Sequence, residues 1–193
     1  MSHNNSTLSF RLRRARAIPE PVRALYLDSF PDDERRPLHR LERLVADPES
    51  GVELLLVDGG EAVPCGFMTV WTFASGARYI EHFATRHELR GSGIGARALE
   101  LLDVLTVDCP TVIEVECPDG GGVASRRIGF YERCGFTLHE DYDYIQPPYK
   151  ASLSSLPMKL MTRGDLGGRD VESIARELKS TVYGYTEGGD GND

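Results

Sequence analysis

The seven residues Arg90-Gly91-Ser92-Gly93-Ile94-Gly95-Ala96 are the stretch of this chain best suited to hold a ligand. They follow an apolar run, Tyr79-Ile80-Glu81-His82-Phe83-Ala84, and lead into a stretch where Ile94, Ala98, Leu101, Leu102 and Leu105 recur at helical spacing. Glycine allows the tight turn from strand to helix and keeps side chains out of the way of an approaching molecule. The first helical turn adds unpaired N–H groups and the positive end of the helix dipole. Together these bind an anion, most naturally a phosphate or diphosphate. No Gly-Lys-Ser/Thr follows, so a P-loop is excluded. The stretch from Gly91 to Ala96 also fits the G-x-G-x-x-A dinucleotide fingerprint, with Glu114 about twenty residues further on. A glycine-rich turn without a ligand is the third reading.

Groups able to move protons lie on the neighbouring segments. Glu81 and His82 are adjacent on a strand candidate, so their side chains are expected on opposite faces, with only one turned to a cleft. Glu114 and Glu116 alternate along residues 111–117 and are expected to share a face. Tyr131 offers a phenol with a reference pKa near 10.

The elements that must position these groups follow from periodicity and turn residues. Residues 9–15 read as a strand whose Arg11, Arg13 and Arg14 form a solvated face. Two helical stripes follow, over 19–30 and 38–47, separated by the charged, proline-flanked corner Pro31-Asp32-Asp33-Glu34-Arg35-Arg36-Pro37. Strands are expected over 52–57 and 66–73, joined through Asp58-Gly59-Gly60-Glu61. Both alternating sets on 66–73 are largely apolar, so both faces should be covered, with Trp71 and Phe73 in the core or lining a pocket. Residues 78–85 form the central strand. After the glycine loop and its helix come a strand over 111–117, a helix over 124–134 capped by Gly135, and a strand over 136–138. A proline-bearing aromatic segment follows, Tyr142-Asp143-Tyr144-Ile145-Gln146-Pro147-Pro148-Tyr149, whose prolines disfavour helix and central-strand pairing. A last strand over 156–161 and an amphipathic helix near 168–182 complete the pattern. A dinucleotide fingerprint ordinarily opens its fold, on the first strand-helix turn. Here the loop comes after several strand candidates, and the chain lacks the repeated strand-helix alternation of a doubly wound sheet.

The run Arg90-x-x-Gly93-x-Gly95 resembles the acyl-CoA signature of the GNAT acetyltransferase superfamily. Arg126-Arg127-Ile128-Gly129-Phe130-Tyr131-Glu132-Arg133-Cys134-Gly135-Phe136 resembles that family's later helix, with its Tyr-x-x-x-Gly-Phe ending. The resemblance covers residues 7–162. It implies the GNAT acyl-CoA N-acyltransferase fold: an α/β architecture with a mixed, mostly antiparallel sheet, splayed central strands and flanking helices. It implies acetyl-CoA as co-substrate, transfer to a primary amine by direct attack, and no metal. Cofactor contacts fall on Phe83, Ala84, Thr85 and the loop Arg90, Gly91, Ser92, Gly93, Ile94, Gly95 and Ala96. Backbone N–H groups of the central strand would stabilise the oxyanion. Glu81 would serve as general base, with His82 in reserve and Glu116 as a second carboxylate for the cleft. Tyr131 would protonate the departing thiolate. Glu34, Arg35, Trp71, Glu116, Tyr144 and Gln146 are the acceptor-side candidates. One departure is plain: the family helix often opens with Asn and, three residues on, Ala, where this chain has Ala124 and Arg127.

Composition agrees with a soluble globular enzyme. The chain has 193 residues, 40% hydrophobic and 27% charged. It reads as one domain over 7–183, between a tail at 1–6 and an acidic, disordered tail at 184–193. No apolar run nears the roughly 18 residues of a membrane span. The first residues do not read as a signal peptide, and the expected location is the cytoplasm. The four cysteines are scattered without a C-x-x-C pair, so zinc and redox chemistry are not suggested. A net charge of −8 argues against broad nucleic-acid binding and suits a cationic acceptor, a small molecule or a peptide. A homodimer is the assembly the family resemblance allows. A module that binds acyl-CoA without catalysing transfer is the alternative from another class.

Overall fold

A computed structural model describes residues 10–105 and 109–185. The expected tail at 1–6 and residues 186–193 of the expected acidic tail lie outside the described residues. The elements run β1 (Arg11–Ala15), α1 (Glu20–Ser29), α2 (Leu38–Ala46), β2 (Val52–Asp58), β3 (Gly66–Thr72), β4 (Arg78–Thr85), α3 (Ile94–Leu105), β5 (Thr111–Glu116), α4 (Val123–Arg133), β6 (Thr137–Leu138), β7 (Tyr144–Gln146), β8 (Leu156–Arg163) and α5 (Val171–Tyr183). The proline-bearing segment does hold a strand: β7 ends at Gln146, one residue before the first proline, and pairs with β8. Gly184, with φ of 67°, and the Tyr185 N–H, which donates to the Lys179 carbonyl, close α5 rather than begin a tail.

The sheet has the order β1-β2-β3-β4-β5-β8-β6, with β7 also on β8. Every pairing is antiparallel except β4 with β5. That parallel pairing is short. It joins Arg78 to Thr111 and Tyr79 to Val112 and goes no further, whereas the other edge of β4 stays paired with β3 as far as Thr85. From Ile80 onward β4 therefore turns a free backbone edge toward β5, which gives the splayed centre expected of the fold.

Both faces of the sheet are covered, as the two-sided apolar strands require. On one face Val22 and Tyr26 of α1, Leu41 and Val45 of α2, and Ile174, Ala175, Leu178 and Val182 of α5 pack on Leu54, Leu56, Phe67 and Trp71. On the other, Ile94, Ala98, Leu99 and Leu102 of α3 and Ile128 and Tyr131 of α4 pack on Leu55, Val57, Met68 and Val70. The arginines of β1 stay at the surface, where Arg11 and Arg13 reach Asp58 and Arg14 reaches Glu53.

A bulge in β4 changes the expected aim of two site residues. Thr69 pairs with His82 and Val70 with Ile80, so Glu81 has no partner on β3. The alternation slips by one residue there. Tyr79 belongs to the α1/α2/α5 face and Ile80 to the α3/α4 face, but Phe83 and Ala84 are then reversed from regular phase. Glu81 and His82 consequently share the α1/α2/α5 face. The expectation of opposite faces, valid for a regular strand, does not hold.

Where β3 begins, Gly66 lies against the backbone of β4. A Cβ added there would stand 2.5 Å from the Ala84 carbonyl oxygen and 3.1 Å from the Thr85 Cα. Replacing Gly66 by Ala must part the two strands, and a loss of about 1–3 kcal/mol is expected from overpacking. Urea denaturation measures it, and a change below about 0.5 kcal/mol would show that the two strands are free to shift there.

Candidate active site

The glycine loop lies between a short turn, His87–Leu89, and the start of α3 at Ile94. Gly91 and Gly93 have φ of 78° and 83°, the left-handed region that favours glycine. A Cβ at either position would meet no protein atom within 4 Å, so the space beside the loop is open. Within it, the Arg97 N–H donates to the Gly93 carbonyl, whereas the N–H groups of Ile94, Gly95 and Ala96 have no acceptor among the described residues. Ser92 turns its hydroxyl back to the Leu89 carbonyl. Arg90 is exposed and makes no ion pair among the described residues. Gly95 fits under Phe130, whose ring a Cβ there would approach to 3.1 Å. Open N–H groups, a helix dipole and an unpaired guanidinium are the features that attract an anion.

Phe83, Ala84 and Thr85 lie on the part of β4 that has lost β5. Their inner edge remains bound to Met68, Phe67 and Gly66. Glu81 shows why this edge matters: the residue is half-buried although its side chain has no exposure at all. What solvent reaches is its backbone, which is paired with neither β3 nor β5.

The Glu81 carboxylate is enclosed and fully engaged. Arg36 donates through Nε to Oε1 at 2.9 Å, and the Trp71 indole donates to Oε2 at 2.8 Å. Burial alone would raise this carboxyl. The Arg36 charge, helped by His82 and the Trp71 donor, outweighs burial and holds it below its ordinary value. Arg36 comes from the charged corner, yet it is the member of that corner that turns inward. Its guanidinium lies 5.3 Å from the Trp71 ring centre and 5.1 Å from that of Tyr149, and donates to the Val182 carbonyl at 2.8 Å. Its neighbours stay outside: Glu34 is exposed, and Arg35 donates to the Phe30 carbonyl and pairs with Asp32.

His82 is buried between Tyr26, Phe30 and Tyr149, with ring centres 4.9, 4.9 and 6.4 Å away. Its Nδ1 lies 3.0 Å from the Thr69 hydroxyl. Burial lowers its pKa to about 4, so the ring is neutral at pH 7.

A second carboxylate stands beyond the last β4–β5 pair, on the same face. Glu114 accepts hydrogen bonds from three phenols: Tyr79 and Tyr183, each 2.8 Å from Oε2, and Tyr144 on Oε1. Burial raises its pKa to about 7, even against the lowering effect of these donors. Tyr183 also accepts from Gln146 at 2.8 Å and lies 3.3 Å from the Tyr149 hydroxyl. The aromatic segment and α5 thus converge on one carboxylate. Tyr144 and Gln146 were expected on the acceptor side. Glu114 as a site residue, with Tyr79 and Tyr183, was not anticipated, though an acid in the middle of a covered strand was a usable signal. Glu116, the expected second carboxylate, sits at the strand end and pairs with Arg127 of α4 at 2.5 Å. The two acids differ in setting although they alternate on one strand. Trp71 lies in the core, 5% exposed, as the donor to Glu81.

Tyr131 lies on the α3/α4 face of the sheet. Its ring packs between Phe130 and Phe136, with centres 5.2 and 5.4 Å away. Its hydroxyl has no hydrogen-bond partner among the described residues, and burial pushes its pKa up to about 12. The phenol therefore keeps its proton at neutral pH. Ala124, where the family often has Asn, is buried, and its N–H donates to Asp119, which also binds Ser125. Asp119 thereby caps the start of α4 from outside the helix.

Among the described residues no helix is long and apolar enough to cross a membrane, and no cluster of three or more His, Cys, Asp or Glu could hold a metal.

A split central sheet with a glycine-rich anion cradle at one helix start defines the GNAT class of acetyltransferases. The acetyltransferase (GNAT) domain family matches residues 50–138. A candidate acetyltransferase of the GNAT family from Bacteroides thetaiotaomicron is 41% identical, over 86% of this chain and 91% of that one, with a TM-score of 0.76. This chain belongs to the GNAT family of acetyltransferases. At 15% identity the fold is shared with a Bacillus subtilis acetyltransferase in complex with CoA, at a TM-score of 0.53 over 82% of this chain and 100% of that one. It is also shared with a GNAT acetyltransferase from Elizabethkingia anophelis with acetyl-CoA bound, at 0.55 over 81% and 98%. No curated protein matches the chain.

The Arg36–Glu81 pair gives a direct test. Arg36→Met leaves a buried carboxylate without its cation, and a loss of about 3–5 kcal/mol is expected in urea denaturation. Adding Glu81→Gln should recover most of that loss. A double variant no more stable than the single one would show that Arg36 acts through packing on Trp71 and Tyr149 instead.

Proposed function

We propose that this enzyme transfers an acetyl group from acetyl-CoA to a primary amine by direct attack in a ternary complex. The observation that carries the proposal is the early end of β4–β5 pairing. It leaves a free strand edge leading from the open N–H groups at the start of α3 to the carboxylates of the other face. Acetyl-CoA, when bound, supplies an activated thioester. The chain's own groups do the rest. The N–H groups of Ile94 to Ala96 and the Arg90 guanidinium hold the diphosphate. The unpaired backbone edge of β4 through Phe83, Ala84 and Thr85 holds the pantetheine arm and presents N–H groups to the reacting carbonyl. Tyr131, protonated and without a hydrogen-bond partner, delivers a proton to the leaving sulfur.

Glu81 was the expected base. Its two oxygens are committed to Arg36 and Trp71, and we assign it to positioning. It fixes Arg36 and Trp71 beneath the acceptor side and shapes the bulge that exposes its own backbone. His82, neutral and buried, fills the same role beside it. Trp71, Tyr144 and Gln146 shape the acceptor side from the sheet and the aromatic segment, whereas the charge of Glu116 is met by Arg127.

Calorimetric titration with acetyl-CoA is the first test, with NAD as control. Micromolar binding of acetyl-CoA and no heat with NAD are expected, followed by thiol release on adding primary amines. Absence of acetyl-CoA binding would overturn the proposal. Tyr131→Phe should lower kcat by about 10²-fold or more while acetyl-CoA affinity stays unchanged. Unaltered turnover would remove the general-acid role.

A further inference from the structure

Of the two carboxylates on the α1/α2/α5 face, only one is neutralised. Glu81 pairs with Arg36. Glu114 pairs with no cation among the described residues; its three partners are neutral phenols. An enclosed carboxylate without a counter-charge is costly, and the cost falls when a cation arrives. The phenol count also matters. A carboxylate has about four lone-pair sites, and three are taken, two on Oε2 and one on Oε1. One site remains on Oε1. Glu114 lies two residues beyond Val112, the last β5 residue paired with β4.

The groups around it favour one kind of guest. Tyr79 comes from β4, Tyr144 from β7, Tyr183 from α5 and Tyr149 from the segment after β7. Two of these rings already lie against a cation of this chain, Tyr144 with the Lys179 ammonium 5.3 Å away and Tyr149 with the Arg36 guanidinium 5.1 Å away. Lys179 itself makes no ion pair with Glu114. Glu81, although paired with Arg36, makes a small contribution to raising the Glu114 carboxyl.

The geometry points to Glu114 and its phenols as the site that receives the acceptor as an unhindered primary alkylammonium, with Oε1 of Glu114 taking the ammonium proton. This assignment rests on the acetyltransfer reading and names its acceptor class and base. The proton passes from nitrogen to Oε1. The freed lone pair forms the C–N bond as the C–S bond breaks, and Tyr131 gives its proton to sulfur. The Glu114 proton then leaves to solvent, and Tyr131 is reprotonated from solvent. Because the carboxyl titrates at about 7, it must be ionised to work, and kcat/KM should rise with pH through that value. Stability runs the other way. A carboxyl raised from its ordinary value of 4.5 to about 7 favours the fold below 4.5, and that contribution is lost as pH rises through 7.

The test compares the full-length enzyme with Glu114→Gln, using n-butylammonium chloride as probe and n-butanol as its neutral counterpart. The first readout is binding alone, by calorimetry without acetyl-CoA. Wild type should bind butylammonium and not butanol, and E114Q should bind neither. The second is thiol release with acetyl-CoA and butylamine. There kcat/KM should fall by about 10²–10⁴-fold in E114Q, and the rising limb near pH 7 should vanish. Acetyl-CoA affinity should be the same in both proteins. If E114Q does not fold, the double variant Tyr144→Phe, Tyr183→Phe takes its place. It strips two donors from the carboxylate and should move the limb to higher pH. Equal butylammonium binding by wild type and variant, no binding by either, or an unchanged pH limb would overturn the assignment. Loss of acetyl-CoA binding in wild type would instead strike the acetyltransfer reading, and the butylammonium arm would still decide whether Glu114 holds a cation.

Discussion

The structure depends on a hydrogen-bond ladder that stops early. β4 and β5 run parallel and share only two residue pairs before they part. A sheet broken further would lose its core. A sheet paired throughout would leave β4 without a free edge and would close the route between its two faces. Two pairs keep Tyr79 and Val112 together in the core and free everything beyond them. The glycine loop lies past the end of β4, Glu114 lies past the last pair on β5, and Tyr131 packs on the α3/α4 face.

Charge management on the α1/α2/α5 face follows from that separation. The face carries two carboxylates close enough to influence each other's ionisation. One is matched by Arg36, which is itself held by two aromatic rings and a carbonyl. The other is matched only by hydroxyls. A matched carboxylate keeps its charge at low cost, and an unmatched one is raised by burial. The bulge at Glu81 is part of this division. By turning Glu81 and His82 to one face it lets a single arginine and a single indole satisfy the acid while the imidazole packs neutral among rings.

Much of this was legible in the sequence because the signals are local. Alternation over residues 52–57 and 66–73, the helical stripe after Gly93 and the glycine punctuation of the loop each depend on neighbours a few residues apart. The family resemblance of the Arg90 loop and the Tyr131 helix was local too. The aim of Glu81 was not legible, because one unpaired residue reverses every side chain after it and no residue type announces a bulge. Arg36 could not be separated from Glu34 and Arg35 in a charged corner, since only the position of Val182 and Tyr149 in space decides which guanidinium turns inward. Glu114 was visible as an acid in an apolar strand, but its three phenols come from residues 79, 144 and 183, and no spacing rule joins those positions.

The bond from Arg36 to the Val182 carbonyl spans 146 residues, the longest reach of any side-chain hydrogen bond described above. The β2–β3–β4 meander closes loops of a few residues, and the entropy lost in closing a loop grows with its length. Pairing within the meander and the Arg36 contact therefore carry very different costs of loop closure. Hairpins can assemble while α5 is still unattached, and the far end of the chain must return before the guanidinium, the carbonyl and the Tyr183 phenol are fixed. A chain that has completed its meander has not yet fixed Arg36.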